Sequence, residues 1–364
     1  MLDGQKMGRM FAAASGYADL AIPLSAASDA SGIACGHIGR YQALMAPQSK
    51  PASEDLADVG RLIERMRAGE RRAISRAVTE LERLSAAAPR LLQAMQPYLG
   101  HALVVGFTGP PGAGKSTLVN AYTGHVRAQG KTVGIIAVDP SSPVSGGAIL
   151  GDRVRMTATL DDDGVFMRSL ASRGHLGGLS PAAVRVIDAL DAAGKDIVVI
   201  ETVGTGQSEI DVAEVADVRV LVTAPGLGDD IQAMKAGLIE IADIMVVNKA
   251  DREGAERTAQ QLKSALSLRA ADRVKVPVLK TTATSGEGVE ALGAAIAEAS
   301  ARAAAGPPQE RRRRRARYLI ARAAAEAIAE RIRNDAGGNL DALADDVLSG
   351  RLLPADAARK LIGR

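Results

Sequence analysis

Cysteine is almost missing from this chain. Cys35 is the only one in 364 residues, so an internal disulfide framework is excluded and a reducing compartment, the cytoplasm, is expected. Tryptophan is absent, and three Phe and five Tyr leave the core to aliphatic residues and Ala. The same scarcity argues against nucleic acid, because there is little aromatic surface on which bases could stack. No uninterrupted apolar stretch approaches the ~20 residues that cross a bilayer, and the N-terminus lacks the charged, hydrophobic and cleavage regions of a secretory leader, so no membrane role is expected. A surplus of one charge sign is missing too: the net charge of +3 is small despite a pI near 9.0. The few metal-binding side chains, His37, His101, His125, His175 and Cys35, are scattered without ligand spacing.

What is present is 47% hydrophobic residues, enough for a sizeable core, in a length that allows two or three domains. The most informative stretch is HALVVGFTGPPGAGKST, residues 101 to 117, an apolar run entering a glycine-rich loop. The expected cradle is Gly109, Pro110, Pro111, Gly112, Ala113, Gly114, Lys115, Ser116 and Thr117. Its glycines let backbone N–H groups approach phosphate oxygens, and the helix that follows offers the positive end of its dipole. Lys115 is expected at the β- and γ-phosphates and Ser116 at Mg²⁺. The continuation Leu118, Val119, Tyr122, Val126 has the spacing of an amphipathic helix.

A second buried-strand pattern, Asp243 to Asn248, ends in Asn248-Lys249-Ala250-Asp251, the guanine-reading sequence. The Asp251 carboxylate can accept from both N1–H and the exocyclic amine of guanine, whereas adenine would leave it unpaired, a discrimination of roughly 10⁴ or more. Asn248 is expected to tie this loop to the phosphate cradle and the stem of Lys249 to lie along the base. A further strand from Val278 ends in Thr281, Thr282 and Ala283, where a backbone N–H is expected on the guanine oxygen. Between the two loops, IVVIETVGTGQSE (197 to 209) places Glu201 beside the metal and a Gly204 N–H on the γ-phosphate. Gln207 comes late for orienting the attacking water. A strand from Thr132 to Val138 leads to Asp139 and on to Asp152, two more carboxylates for the metal and switch region, with a helix N-cap as the alternative role for each.

These strings resemble the MeaB/ArgK-type GTPases, metallochaperones of methylmalonyl-CoA mutase that include the human methylmalonic aciduria type A protein. The matching residues are GPPGAGKST (109 to 117), VDPSSPVSGGAILGDRVRM (138 to 156), SRGHLGGLS (172 to 180), IETVGTGQSEIDVAEVADV (200 to 218), PGLGDDIQAMKAGLIEIAD (225 to 243) and NKAD (248 to 251), within a likeness spanning roughly 52 to 364. The resemblance implies hydrolysis of GTP to GDP, with Mg²⁺, gating the transfer of adenosylcobalamin into a cobalamin-dependent acyl-CoA mutase and protecting that enzyme. Cys/His motifs that mark nickel and cobalt cargo in related chaperone GTPases are missing.

The expected architecture is α/β: a P-loop NTPase with a mostly parallel sheet covered by helices, N-terminal helices and a C-terminal helical arm. Residues 1–52 read as a flexible extension or as sequence from an upstream start, 53–100 as helices, 101–305 as the GTPase domain and 306–364 as the arm. The run Arg311 to Arg315 opens a long helix and reads as a solvated start, or else as a phosphate contact; the apolar face behind it could pack on its own domain, but the resemblance implies a dimerisation arm and a homodimer. His175, in SRGHLGGLS, reads as structural or as a switch and partner contact. In PGLGDDIQAMKAG (225 to 237), Asp229, Asp230, Gln232 and Lys235 are expected to relay a partner's effect on hydrolysis, or else to cap the next helix. Two competing readings keep the cradle and change its use: a kinase passing the γ-phosphoryl group to an acceptor, or an assembly factor whose turnover is incidental.

Overall fold

The computed structural model describes residues 52–139, 162–171, 179, 181–202, 208–227, 236–267, 275–303, 308–333 and 339–362. Residues 52–364 form one compact unit. At its centre is a seven-stranded parallel sheet: β1 (Leu103–Thr108), β2 (Val133–Asp139), β3 (Val165–Ala171), β4 (Ile197–Thr202), β5 (Val218–Thr223), β6 (Ile244–Asn248) and β7 (Val278–Thr281), in the order β3-β2-β4-β1-β5-β6-β7. All strand C-termini therefore meet along one edge, and β1 lies in the middle of it. In such sheets ligands bind beyond that edge, where the strand order reverses, which here is at β1.

Alternate residues of each strand face opposite layers, because side chains in a strand repeat with period two. Val104, Ile136, Val138, Val198 and Ile200 enter one apolar cluster, and Val105, Phe107, Ile135 and Val199 enter the other. The first cluster is roofed by α1 (Ala52–Arg67), α2 (Arg71–Arg83), α3 (Ala88–Met95), α5 (Pro181–Ala192) and α6 (Ser208–Val215). Within α2 the buried residues Ala73, Ile74, Ala77, Val78 and Leu81 form one helical stripe, so these N-terminal helices share the core of the sheet. The second cluster is covered by α4 (Lys115–Ala128) and α9 (Val289–Ala303), with Tyr122 of α4 buried 5.8 Å from the Phe107 ring. A smaller cluster packs α8 (Ala255–Ser267), Ile239 and Ile241 of α7 (Ala236–Ile241) and Ala242 after it on Leu221, Met245 and Val247.

Two buried carboxylates set where β1 begins. Asp191 accepts from the backbone N–H groups of Gly100, His101 and Ala102, and Asp217 accepts from that of Val104. Asp217 has a second task. It is gripped by Arg311, Arg314 and Arg315 of α10 (Pro308–Arg333), with Arg315 Nη2 at 2.8 Å, and Arg314 and Arg315 also donate to the carbonyls of Ala216 and Val215. The expectation of a solvated helix start is thus corrected: three of the five consecutive arginines turn inward, because a buried carboxylate and the carbonyls at the end of α6 offer them partners. The other two, Arg312 and Arg313, keep exposed pairings with Gln96 and Glu310. Beyond α10, α11 (Asn339–Leu348) and α12 (Pro354–Ile362) bury Leu343, Ala357 and Leu361 against each other.

Candidate nucleotide-binding site

The loop leaving β1 turns sharply at Gly109, whose φ of 135° and proximity to Val222 leave no room for a side chain: a Cβ there would lie 1.9 Å from the Val222 carbonyl oxygen. Pro110 and Pro111 stiffen the turn, Gly112 sits at φ 78°, and Ala113 is buried. Gly114, at φ 84°, immediately precedes α4, which begins at Lys115 with Ser116 and Thr117 in its first turn. Leu118, Val119, Tyr122 and Val126 of that helix are all buried against the sheet. The Lys115 side chain is buried and folds back over the loop, its Nζ donating to the carbonyls of Gly109 (2.7 Å) and Pro110 (3.0 Å). The ammonium therefore sits inside the ring of backbone that a phosphate would enter.

Neighbouring strands bring the remaining groups to the same edge. Register places Phe107 of β1 beside Glu201 of β4. The Glu201 carboxylate is 1% exposed and accepts a 2.5 Å hydrogen bond from Ser116 Oγ at its Oε1. Asp139 ends β2, one register step beyond the pair Val138 and Thr202. Its side chain lies outside the described residues, as do Asp152, His175, Gly204, Asp229, Asp230, Gln232 and Lys235.

From β6, two strands from β1, Asn248 reaches across to the cradle. Its Nδ2 donates to the carbonyls of Ala113 (2.9 Å) and Gly114 (3.3 Å), while its Oδ1 accepts from Thr281 Oγ1 and from the Ala283 N–H. The amide is 1% exposed, so its donors and acceptor are all committed inside the protein. A Cβ at Gly114 would come 2.5 Å from Asn248 Nδ2, so the closeness of the two loops depends on glycine there. Lys249, strained at φ 57°, carries its stem along the loop to donate from Nζ to the Gly112 carbonyl. Asp251 stands exposed beyond it. Where a backbone N–H is expected at the base, that of Thr282 is spent on the Glu287 carbonyl at 3.0 Å. The Ala283 N–H is engaged too, by Asn248 Oδ1 at 3.2 Å.

Sequence reasoning missed one set of groups. Thr108, Thr202 and Thr223 close β1, β4 and β5, and each hydroxyl is buried without a hydrogen-bond partner among the described residues. Buried orphans of this kind are uncommon and cluster where a ligand, ion or water completes the network. The signal was available: these apolar strand runs, like β7, end in Thr. Mg²⁺ is tested by the same chemistry. Ser116 and Glu201 supply hard oxygen donors in a buried setting, which suits an ion that takes few protein ligands and keeps several waters. Among the described residues no three His, Cys, Asp or Glu side chains converge, so an ion there would rest on Ser116, Glu201 and water, with any further carboxylate coming from outside those residues.

A phosphate loop on the central strand, tied by a buried asparagine to an Asn-Lys-x-Asp loop two strands away, defines the class: a P-loop GTPase. Within it, the family model "Methylmalonyl Co-A mutase-associated GTPase MeaB" matches residues 72–336, and the chain belongs to that family and is a GTPase. It is similar to a candidate GTPase of Pyrococcus horikoshii, 50% identical over 244 residues covering 66% of this chain and 77% of that one. It is also similar to GTPase ArgK of Escherichia coli, 41% identical over 249 residues covering 66% and 75%. Among solved structures, that of a LAO/AO transport system kinase superposes with a TM-score of 0.67 at 30% identity, covering 86% of this chain and 98% of that one.

Proposed function

We propose that the protein is a GTP-hydrolysing switch that gates adenosylcobalamin loading into methylmalonyl-CoA mutase, or a related cobalamin-dependent acyl-CoA mutase, and protects that enzyme. The observation that carries the nucleotide half is the Asn248 bridge, which holds the base-reading loop at a set distance from the phosphate loop. Membership of a family named for the mutase carries the other half. Asp251 reads guanine; Asn248, Lys249 and the Ala283 N–H frame the base, with Thr282 behind it; Gly109 to Thr117 cradle the phosphates. Lys115 leaves the loop carbonyls for the β–γ bridge and holds the charge that develops there. Ser116 and Glu201 hold Mg²⁺, aided by Asp139 and Asp152, and Gly204 meets the γ-phosphate. The ion, when bound, screens charge on the leaving phosphates.

The C-terminal arm is the dimerisation element in this reading, supported by apolar side chains that α10, α11 and the turn after it expose: Ile320, Leu348 at 85% and Leu353 at 68%. The scarcity of cysteine supports work in the cytoplasm, and among the described residues no helix is long and apolar enough to cross a membrane. Multiple-turnover phosphate release, with and without purified mutase, tests the proposal. Release stimulated by the mutase and abolished in Lys115→Ala is the expected outcome. Transfer of the γ-phosphoryl group to a protein or small acceptor in place of free phosphate would replace it with a kinase reading.

A further inference from the structure

At the opposite edge of the sheet from the nucleotide, where strands begin, lies a cavity of about 540 Å³, within the range of roughly 300–1,000 Å³ typical of small-molecule sites. It opens between the starts of β5 to β7, the end of α9 and the first turns of α10. Its walls carry five cationic side chains, Arg219, Lys275, Arg302, Arg311 and Arg314, against Asp217, Glu240 and Asp243, and Arg302 already pairs with Glu298 at 2.7 Å. Of the acids, Asp243 is fully engaged by Arg219, which grips it in a fork at 2.8 and 3.0 Å. Asp217 is engaged by Arg315 at 2.8 Å and by the Val104 N–H. One carboxylate thus serves three guanidinium groups, and Arg311 and Arg314 reach it only at 3.4 Å. The Nε–H of Arg314 is buried and has no hydrogen-bond partner among the described residues. Burial, with the neighbouring Arg219 and Arg315, lowers the pKa of Arg314, while Asp217 and Glu214 oppose that shift.

Three guanidinium groups share one buried carboxylate, and the Arg314 side chain is still 38% exposed, so donors remain for a further anion. We propose that this cavity is a second anion site, taking a small phosphate-bearing molecule whose oxygens pair with Arg311 and Arg314 while Arg302 and Lys275 close over it. Guanidinium forks match phosphate oxygens two at a time, which favours phosphate over a monovalent ion. The site is separate from the nucleotide cradle, since all strands run the same way and the two lie at opposite ends of them. It also sits on the contact between α10 and the end of α6, so occupancy would tighten the attachment of the C-terminal arm.

The test uses the full chain saturated with GDP and Mg²⁺, so that the cradle is filled, with KCl matching ionic strength. Inorganic phosphate and glycerol 3-phosphate are titrated while Tm is followed, since a ligand of the folded state raises it. Both arginines of the clamp are left intact, because their removal would weaken the fold. The variant is Lys275→Glu combined with Arg302→Glu at the rim, where removing charge-assisted hydrogen bonds to the ligand should weaken binding by about tenfold or more. A rise with phosphate beyond that with KCl, reduced in this variant while GDP affinity is unchanged, is expected. Tighter binding of glycerol 3-phosphate would mark an organic phosphate as the ligand, and equal binding would mark free phosphate. No rise above KCl in the wild type, or an equal rise in the charge-reversed variant, would overturn the proposal.

Discussion

Asn248 does at the scale of one side chain what the rest of the site depends on: all its hydrogen-bonding groups are used, on two loops at once. Asp251, by contrast, is exposed. Replacing Asp251 by Asn should leave stability within ~0.5 kcal/mol of wild type, as for most exposed positions. GTP binding should weaken, with a shift in preference to xanthosine triphosphate, whose O2 accepts from the new amide; competition binding reads this directly. A different residue sets a pH dependence. Burial pushes the Asp188 carboxyl up to about 6, despite the pull of nearby Arg315. An ordinary carboxyl titrates near 3.9. Between those values the folded state holds more protons than the unfolded one, so this group lowers stability as pH rises through the window. Asp188→Asn should therefore melt higher than wild type near neutral pH, the gap closing below about pH 4. Equal melting at both ends would show that Asp188 is not held at cost.

At the scale of elements, the contact between α10 and α6 turns on Asp217, whose side chain is completely buried. Removing one partner of a buried charged cluster typically costs ~3–5 kcal/mol. Asp217→Ala should lower unfolding stability in urea by that much, while Arg313→Ala, two residues from Arg315 but exposed, should change it by less than ~0.5 kcal/mol. Equal effects from the two would mean that α10 is not fastened here. α6 itself follows the segment after Glu201, so its end, held by Arg314 and Arg315, lies on a continuous path from the catalytic edge to the arm.

For the whole molecule, the mutase should accelerate hydrolysis, acting through the segment 225 to 237. Alanine at Asp229, Asp230 or Lys235 should spare GTP affinity and basal turnover yet reduce stimulation, seen in phosphate release with the mutase present; stimulation at the wild-type level in all three would assign this segment to helix capping instead.

How much could be read without the fold varies with range. The phosphate loop, the Asn-Lys-x-Asp loop and the β/α alternation were legible because each is a local string whose backbone demands specific residues: glycine at positive φ in Gly109, Gly112 and Gly114, and an apolar run before each loop. The amphipathic start of α4 was legible for the same reason, through helical spacing of Leu118, Val119, Tyr122 and Val126. What only the tertiary structure decided are the partners across long separations. The arginine run looked like a solvated face because nothing nearby in sequence balances it; Asp217, about a hundred residues away, does. The N–H groups of Thr282 and Ala283 are both claimed by acceptors, the Glu287 carbonyl and Asn248 Oδ1, that the local string does not reveal. The threonine hydroxyls at the strand ends gained meaning only when parallel pairing brought β1, β4 and β5 side by side. Local chemistry is written in adjacent residues, whereas burial and charge compensation belong to whichever groups the chain later brings into contact.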